Sequence, residues 1–169
     1  MLETFSNLTK LEDYSFLKKF NTSKVKTMKQ LFQCNYNFKD LTVLKNWDVS
    51  SVEDFKDTFS FVKNVESLKG LENWNTSSAT TMESMFTNCT KLGDISALKN
   101  WNVSNVTDFQ YFLSHNNTLK DSSAIKDWDV RKVTNFSNMF YGTFHANPPI
   151  FSKRNGQWNS EGTYIPSKW

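Results

Sequence analysis

The sequence predicts an α/β repeat solenoid, with one short helix and one short parallel strand in each 27-residue repeat. Two observations predict it. Trp47, Trp74, Trp101 and Trp128 recur every 27 residues, and Phe20 continues the column backward. Apolar residues then follow each of these rings at fixed distances, so a whole pattern repeats and not a single residue type.

The helix is expected from the first apolar set. Val52, Phe55 and Phe59 are spaced three and then four apart, as are Val25, Met28 and Phe32 and their equivalents Ala79, Met82 and Phe86. That spacing lines one face of a helix. Ser50 followed by Glu53 fits a capping box ahead of it. The strand is expected from the second set, such as Leu92, Ile95 and Leu98, which sits in a polar stretch rich in Asp, Ser and Gly. Neither element buries its apolar face alone, whereas stacked copies share one core.

The pattern places domain boundaries. Asn7-Leu8-Thr9-Lys10-Leu11 corresponds to Asn88-Cys89-Thr90-Lys91-Leu92, three periods later, so residues 1–19 form a partial repeat. Full repeats start at 20, 47, 74, 101 and 128, and the array runs over 1–147. Past Phe140 the columns fail and Pro148-Pro149 breaks the pattern. Residues 148–169 carry Trp158, Ile165 and Trp169, and are expected to cap the last repeat or to form a tail.

Composition narrows the function. The 169 residues include 15 Phe, 6 Trp and 5 Tyr, enough ring area for a core. Net charge is +3 with the two signs interleaved, which gives no basic tract for nucleic acid. No apolar stretch approaches the roughly 20 residues that cross a bilayer, so no membrane insertion is expected. The N-terminus has neither a basic nor an apolar leader region, so no signal peptide is expected in this chain. Cys34 and Cys89 fall two repeats apart, about 9.6 Å for stacked strands, too far for a disulfide. His115 and His145 are metal-ligand candidates with Cys89, but no ligand spacing supports them, and no cofactor or metal is expected. No catalytic motif is present and an enzyme is not expected.

The aromatic column Phe20, Trp47, Trp74, Trp101 and Trp128 reads as core, with a sugar-stacking platform as the alternative. Polar residues beside the strand segment are the candidate binding surface. Asp40, Ser67, Asp94 and Asp121 share one column; Thr42, Lys69, Ser96 and Ser123 share the column two further on. Alternation along a strand turns both columns outward on one face. A row of this kind suits hydrogen bonding to a protein partner by a monomer; ordinary solvated surface is the plainer alternative.

The repeated phrase resembles one family. Trp47-Asp48-Val49-Ser50-Ser51-Val52, Trp74-Asn75-Thr76-Ser77 with Met82, Met85-Phe86 and Cys89, and Trp101-Asn102-Val103-Ser104-Asn105-Val106 are similar to the BspA-type leucine-rich repeats of bacterial surface proteins, found also in Mycoplasma lipoproteins. The resemblance covers roughly residues 1–144. It implies a leucine-rich-repeat-like right-handed superhelix. It also implies a non-catalytic, adhesin-type domain at the cell surface or secreted, binding host or matrix protein. Family members carry an export signal and an anchor, and this chain shows neither, so it is either an excised ectodomain fragment or a small cytoplasmic relative. A small cytoplasmic, protein-binding inhibitor, immunity or decoy protein is therefore the alternative, and a structural spacer a third.

Overall fold

The computed structural model describes residues 4–143 and 147–167. Its regular elements are few. Among the described residues four 3-10 helices span Ser15–Lys19 (η1), Leu41–Leu44 (η2), Ser96–Asn100 (η3) and Ser123–Ile125 (η4). One antiparallel pair joins Gly156–Trp158 (β1) to Tyr164–Pro166 (β2), with Gln157 opposite Ile165. The expected α/β solenoid is therefore wrong. Among the described residues no helix exceeds five residues, and the one sheet is this two-stranded hairpin. The leucine-rich-repeat-like right-handed superhelix falls with it, as do the parallel strands, which are reduced to isolated bridges such as Asp54 to Thr81 and Ser67 to Asp94.

The 27-residue period is nonetheless physical, because it sets the register of backbone hydrogen bonds between layers of turns. Where a helix was expected after Val52, the Phe55, Asp57, Phe59 and Phe61 N–H groups donate to the carbonyls of Thr81, Glu83, Met85 and Thr87 in the next layer. The intervening N–H groups close local turns, Thr58 to Phe55 and Ser60 to Asp57. The same alternation recurs from Met28, Met82 and Phe109. Alternate turns, such as those closed by Thr58 on Phe55 and by Val62 on Phe59, carry a left-handed residue at their third position. Gln30, Cys34, Asp57, Phe61, Ser84, Asn88, Tyr111, His115 and Asn138 supply it, with φ between 54° and 60°. That conformation costs a residue with a side chain about 1–2 kcal/mol, and inter-layer hydrogen bonds and burial offset it.

The Ser50–Glu53 capping box is absent for the same reason. Ser50 N–H instead donates to Asp48 Oδ1 (2.9 Å), an Asx turn repeated at Asn21, Asn75, Asn102 and Asp129.

The inward columns are core. Phe32, Phe59 and Phe86 are fully buried and stack at 5.4 and 5.5 Å between ring centroids. Trp47, Trp74, Trp101 and Trp128 are 2–5 % exposed. Each indole N–H donates to the leucine carbonyl 30 residues earlier, on Leu17, Leu44, Leu71 and Leu98. The same carbonyl accepts the backbone N–H three residues on, from Phe20, Trp47, Trp74 and Trp101. One tryptophan per layer thus fills core volume and locks the layer below. That burial removes the sugar platform at the four tryptophans, whereas Phe20, placed in the same column by the sequence, is 38 % exposed and is not core. A second column performs the matching task on the other side. Asn35, Cys89, Asn116 and Thr143 donate to the carbonyls of Phe5, Phe59, Phe86 and Leu113. Cys34 and Cys89 are both free, and burial pushes the Cys89 thiol up to about 12.

Residues 147–167 cover the last layer. Phe151, Trp158 and Tyr164 meet Phe136 and Phe140 edge-on or tilted. Phe140 N–H, which in earlier layers would reach another repeat, donates to Gly162 O (3.0 Å). Arg154 Nη1 donates to the carbonyls of Val130 and Val133. Trp169 lies outside the described residues.

Candidate binding face

The eight polar residues singled out in the sequence lie along one face, but turns and 3-10 helices place them, not strands. Asp40 Oδ1 accepts the Thr42 N–H (2.9 Å), Asp94 Oδ1 the Ser96 N–H (2.9 Å), and Asp121 Oδ1 the Ser123 N–H (2.8 Å). Ser67 Oγ does the same for Lys69 at 3.2 Å. The two columns are therefore one device: an acid or hydroxyl starts a turn and the residue two further on closes it. These bonds hold Asp40, Asp94 and Asp121 below the usual carboxylate range, through Thr42, Ser96 and Ser123 respectively. The carboxylates stay charged and keep a fixed orientation at the surface.

The first copy of the device was missed in the sequence. Asp13 accepts from the Ser15 N–H and hydroxyl (2.8 and 3.0 Å), and its carboxyl is likewise lowered by Ser15. The signal was available, since Asp13 and Ser15 stand three periods before Asp94 and Ser96.

The 3-10 helices pair as η1 with η2 and η3 with η4. Each pair frames a cleft. The first, of about 490 Å³, has Glu12, Asp13, Tyr14, Lys18, Asp40 and Val43 in its wall. The second, of about 450 Å³, has Asp94, Ile95, Lys99, Asp121, Ala124 and Asp127. Between them a third cleft of about 370 Å³ includes Asp40, Thr42, Ser67 and Lys69. The structure thus gathers all eight sequence-predicted residues into the walls of the second and third clefts. Lys18, Lys99 and Tyr14 are additions that periodicity alone did not single out.

The middle repeat departs from this plan. Gly70 has φ +105°, and a Cβ there would sit 2.6 Å from Thr42 Cα. The chain at 67–71 consequently presses on the layer below, and no 3-10 helix forms between η2 and η3. Ser67 Oγ crosses to Asp94 Oδ2 at 2.9 Å, tying the middle repeat to the later cleft.

Other candidates are not assembled into sites. His115 meets Tyr141 edge-on at 5.3 Å. Cys89 is sealed in the core, and His145 lies outside the described residues. Among the described residues no group of three or more His, Cys, Asp or Glu is placed to hold a metal ion. No helix there is long and apolar enough to cross a membrane.

These features are a turn-built repeat with one cleft-lined polar face. The family profile described as "Mycoplasma protein of unknown function, DUF285" matches residues 1–123 and again residues 60–164. The chain belongs to this family, and the two overlapping matches follow from its internal repeat. No curated protein and no solved structure matches it.

Proposed function

We propose that this protein is a non-catalytic binding module of a bacterial surface protein. In this reading it is related to BspA-type adhesins and contacts a host or matrix protein through the face that carries Asp40, Thr42, Ser67, Lys69, Asp94, Ser96, Asp121 and Ser123. The observation that supports it most is the recurrence of fixed, ionised carboxylates beside clefts on that one face, while the aromatic residues of the repeat go to the core. Preorganised charge lowers the ordering cost of association. Polar groups of this kind confer partner choice and on-rate.

The test is a binding screen of the intact chain against extracellular-matrix and host-cell surface proteins. It is run in parallel with Asp121→Asn and with Lys69→Glu on the predicted face, and Lys24→Glu away from it. Binding lost only in the two face variants supports the proposal. Binding unchanged by them, or lost equally in Lys24→Glu, moves the contact elsewhere.

A further inference from the structure

The C-terminal hairpin carries a reactive peptide unit. Asn155-Gly156 is the one place in the sequence where glycine follows asparagine. Packing requires the glycine, since a Cβ at Gly156 would lie 2.6 Å from both Ile165 O and the Tyr164 ring. The missing side chain also leaves the Gly156 nitrogen unshielded. Ladder geometry frees that nitrogen as well. Asn155 O accepts the Ser167 N–H (2.9 Å), and Asn159 N–H donates to Thr163 O (3.0 Å). Hydrogen-bonded and non-hydrogen-bonded pairs alternate along an antiparallel ladder. Gly156, opposite Pro166, therefore stands at a non-hydrogen-bonded pair with its N–H turned away from β2.

The Asn155 side chain is equally unengaged. It is exposed and has no hydrogen bond to any described residue. Other asparagines are held. Asn21, Asn75 and Asn102 accept the N–H two residues on through Oδ1, which fixes each carboxamide in a turn. Asn159, followed by the small residue Ser160, accepts from the N–H groups of Glu161 and Thr163 (3.0 and 2.9 Å). Among the described residues, only Asn155 combines a loose carboxamide with a following glycine whose N–H is outside the ladder.

We propose that Asn155 is a site of spontaneous covalent modification, where deamidation with isomerisation loosens the C-terminal cap. Gly156 N loses its proton to solvent hydroxide, attacks Asn155 Cγ and forms a C–N bond. The side-chain nitrogen takes a proton from water and leaves as ammonia. Water then opens the cyclic imide at one carbonyl or the other. One product is aspartate. In the other, isoaspartate, the main chain runs through Cβ and Cγ and is longer by one carbon. The hairpin has no slack for it. Gly156 lies against β2, and Asn155 O holds the Ser167 N–H. Arg154, the preceding residue, donates to Val130 O and Val133 O in the last layer, and its own carbonyl accepts from Tyr164 Oη at 2.6 Å. Isoaspartate lengthens the chain between these anchors and releases them.

The intact folded chain is aged at neutral and at mildly alkaline pH, then mapped by mass spectrometry with fragmentation that separates isoaspartate from aspartate. Conversion of amide to acid is expected at Asn155 ahead of every other asparagine, faster at the higher pH, with isoaspartate among the products. Hydrogen exchange in the aged chain is expected to be faster at the Phe140 N–H, which donates to Gly162 O, and unchanged at the Phe59 N–H, which donates to Met85 O. Asn155→Ser is expected to keep the fresh exchange rate at Phe140 throughout ageing. Asn155→Asp has the new charge on a normal main chain and is expected to match the fresh wild type. Another asparagine converted first, no conversion in the folded chain, unchanged exchange at Phe140 in the chain carrying isoaspartate, or a cap equally loose in fresh Asn155→Asp overturns the proposal.

Discussion

Trp101→Ala removes the ring that joins three layers. Trp101 is 4 % exposed, stacks on Trp74 at 6.1 Å and 10°, contacts Phe86 at 6.3 Å, and donates from Nε1 to Leu71 O at 2.9 Å. A buried tryptophan cut to alanine costs about 3–5 kcal/mol. Leu71 O keeps its second donor, the Trp74 N–H at 3.2 Å, so the lost hydrogen bond belongs at the low end, about 1 kcal/mol. Trp101→Phe isolates that smaller loss together with the volume difference. Urea denaturation followed by far-UV circular dichroism reads both. The expected order is wild type, then Trp101→Phe, then Trp101→Ala, with the alanine variant lower by at least about 3 kcal/mol. Coupling between Trp74 and Trp101 in a double-mutant cycle should be about 0.5–1.5 kcal/mol. An alanine variant with the wild-type midpoint would place the ring in solvent and refute the core assignment of the four tryptophans.

Gly70→Ala should lower stability by more than about 1 kcal/mol, because its new Cβ meets the Thr42 backbone at φ +105°; a thermal melt at the wild-type temperature contradicts this. Arg154→Met should loosen the C-terminal hairpin by removing donors to Val130 and Val133, read as faster hydrogen exchange at Phe140 with earlier layers unchanged. Acid should destabilise the fold through the turn carboxylates. Asp13, Asp40, Asp48, Asp94 and Asp121 are lowered in the folded state by their turn hydrogen bonds, and Asp129 is lowered to about 2, chiefly by Arg131. Depressed folded values mean that the contribution is complete above the unfolded value, about 3.9, and is lost as pH falls through the folded one. Asp57, raised by burial, acts in the opposite sense and is one group against six. The denaturation midpoint should therefore be level from pH 7 to 5 and fall between about pH 4 and 2; a level profile to pH 2 contradicts the assignment.

The core columns are legible in the sequence because large rings recurring in register have one economical use. Periodicity alone is enough to put Trp74 and Phe59 in the core. The helix was misread for a specific reason. Val52, Phe55 and Phe59 match a helical face, but a chain of linked turns also returns an apolar residue to the interior every three or four positions. Several residues that decide between the two, Gln30, Phe61, Ser84 and Tyr111, take positive φ without being glycine, asparagine or aspartate, so their type carries no sign of it. Asn88 and Asn138 did carry one, since asparagine tolerates that conformation. On the binding face, the columns of Asp40 and Thr42 were visible as periodicity. Their union into turns was readable from the two-residue spacing of Asp with Ser or Thr. Pairing of η1 with η2 and of η3 with η4 was not readable, because Gly70 interrupts the plan through a contact with Thr42 in another layer.

Left-handed turns stand where the sequence suggested a helix, and Ser84 tests that most directly. Its φ is 56° and its N–H donates to Gln110 O in the next layer. In a helix, alanine is more stable than glycine by about 1 kcal/mol. In the left-handed region the order reverses by a similar amount, because glycine has no Cβ to strain. Comparison of Ser84→Gly with Ser84→Ala by chemical denaturation should therefore find the glycine variant the more stable. An alanine variant more stable than the glycine one would contradict the turn-built repeat and restore the helix.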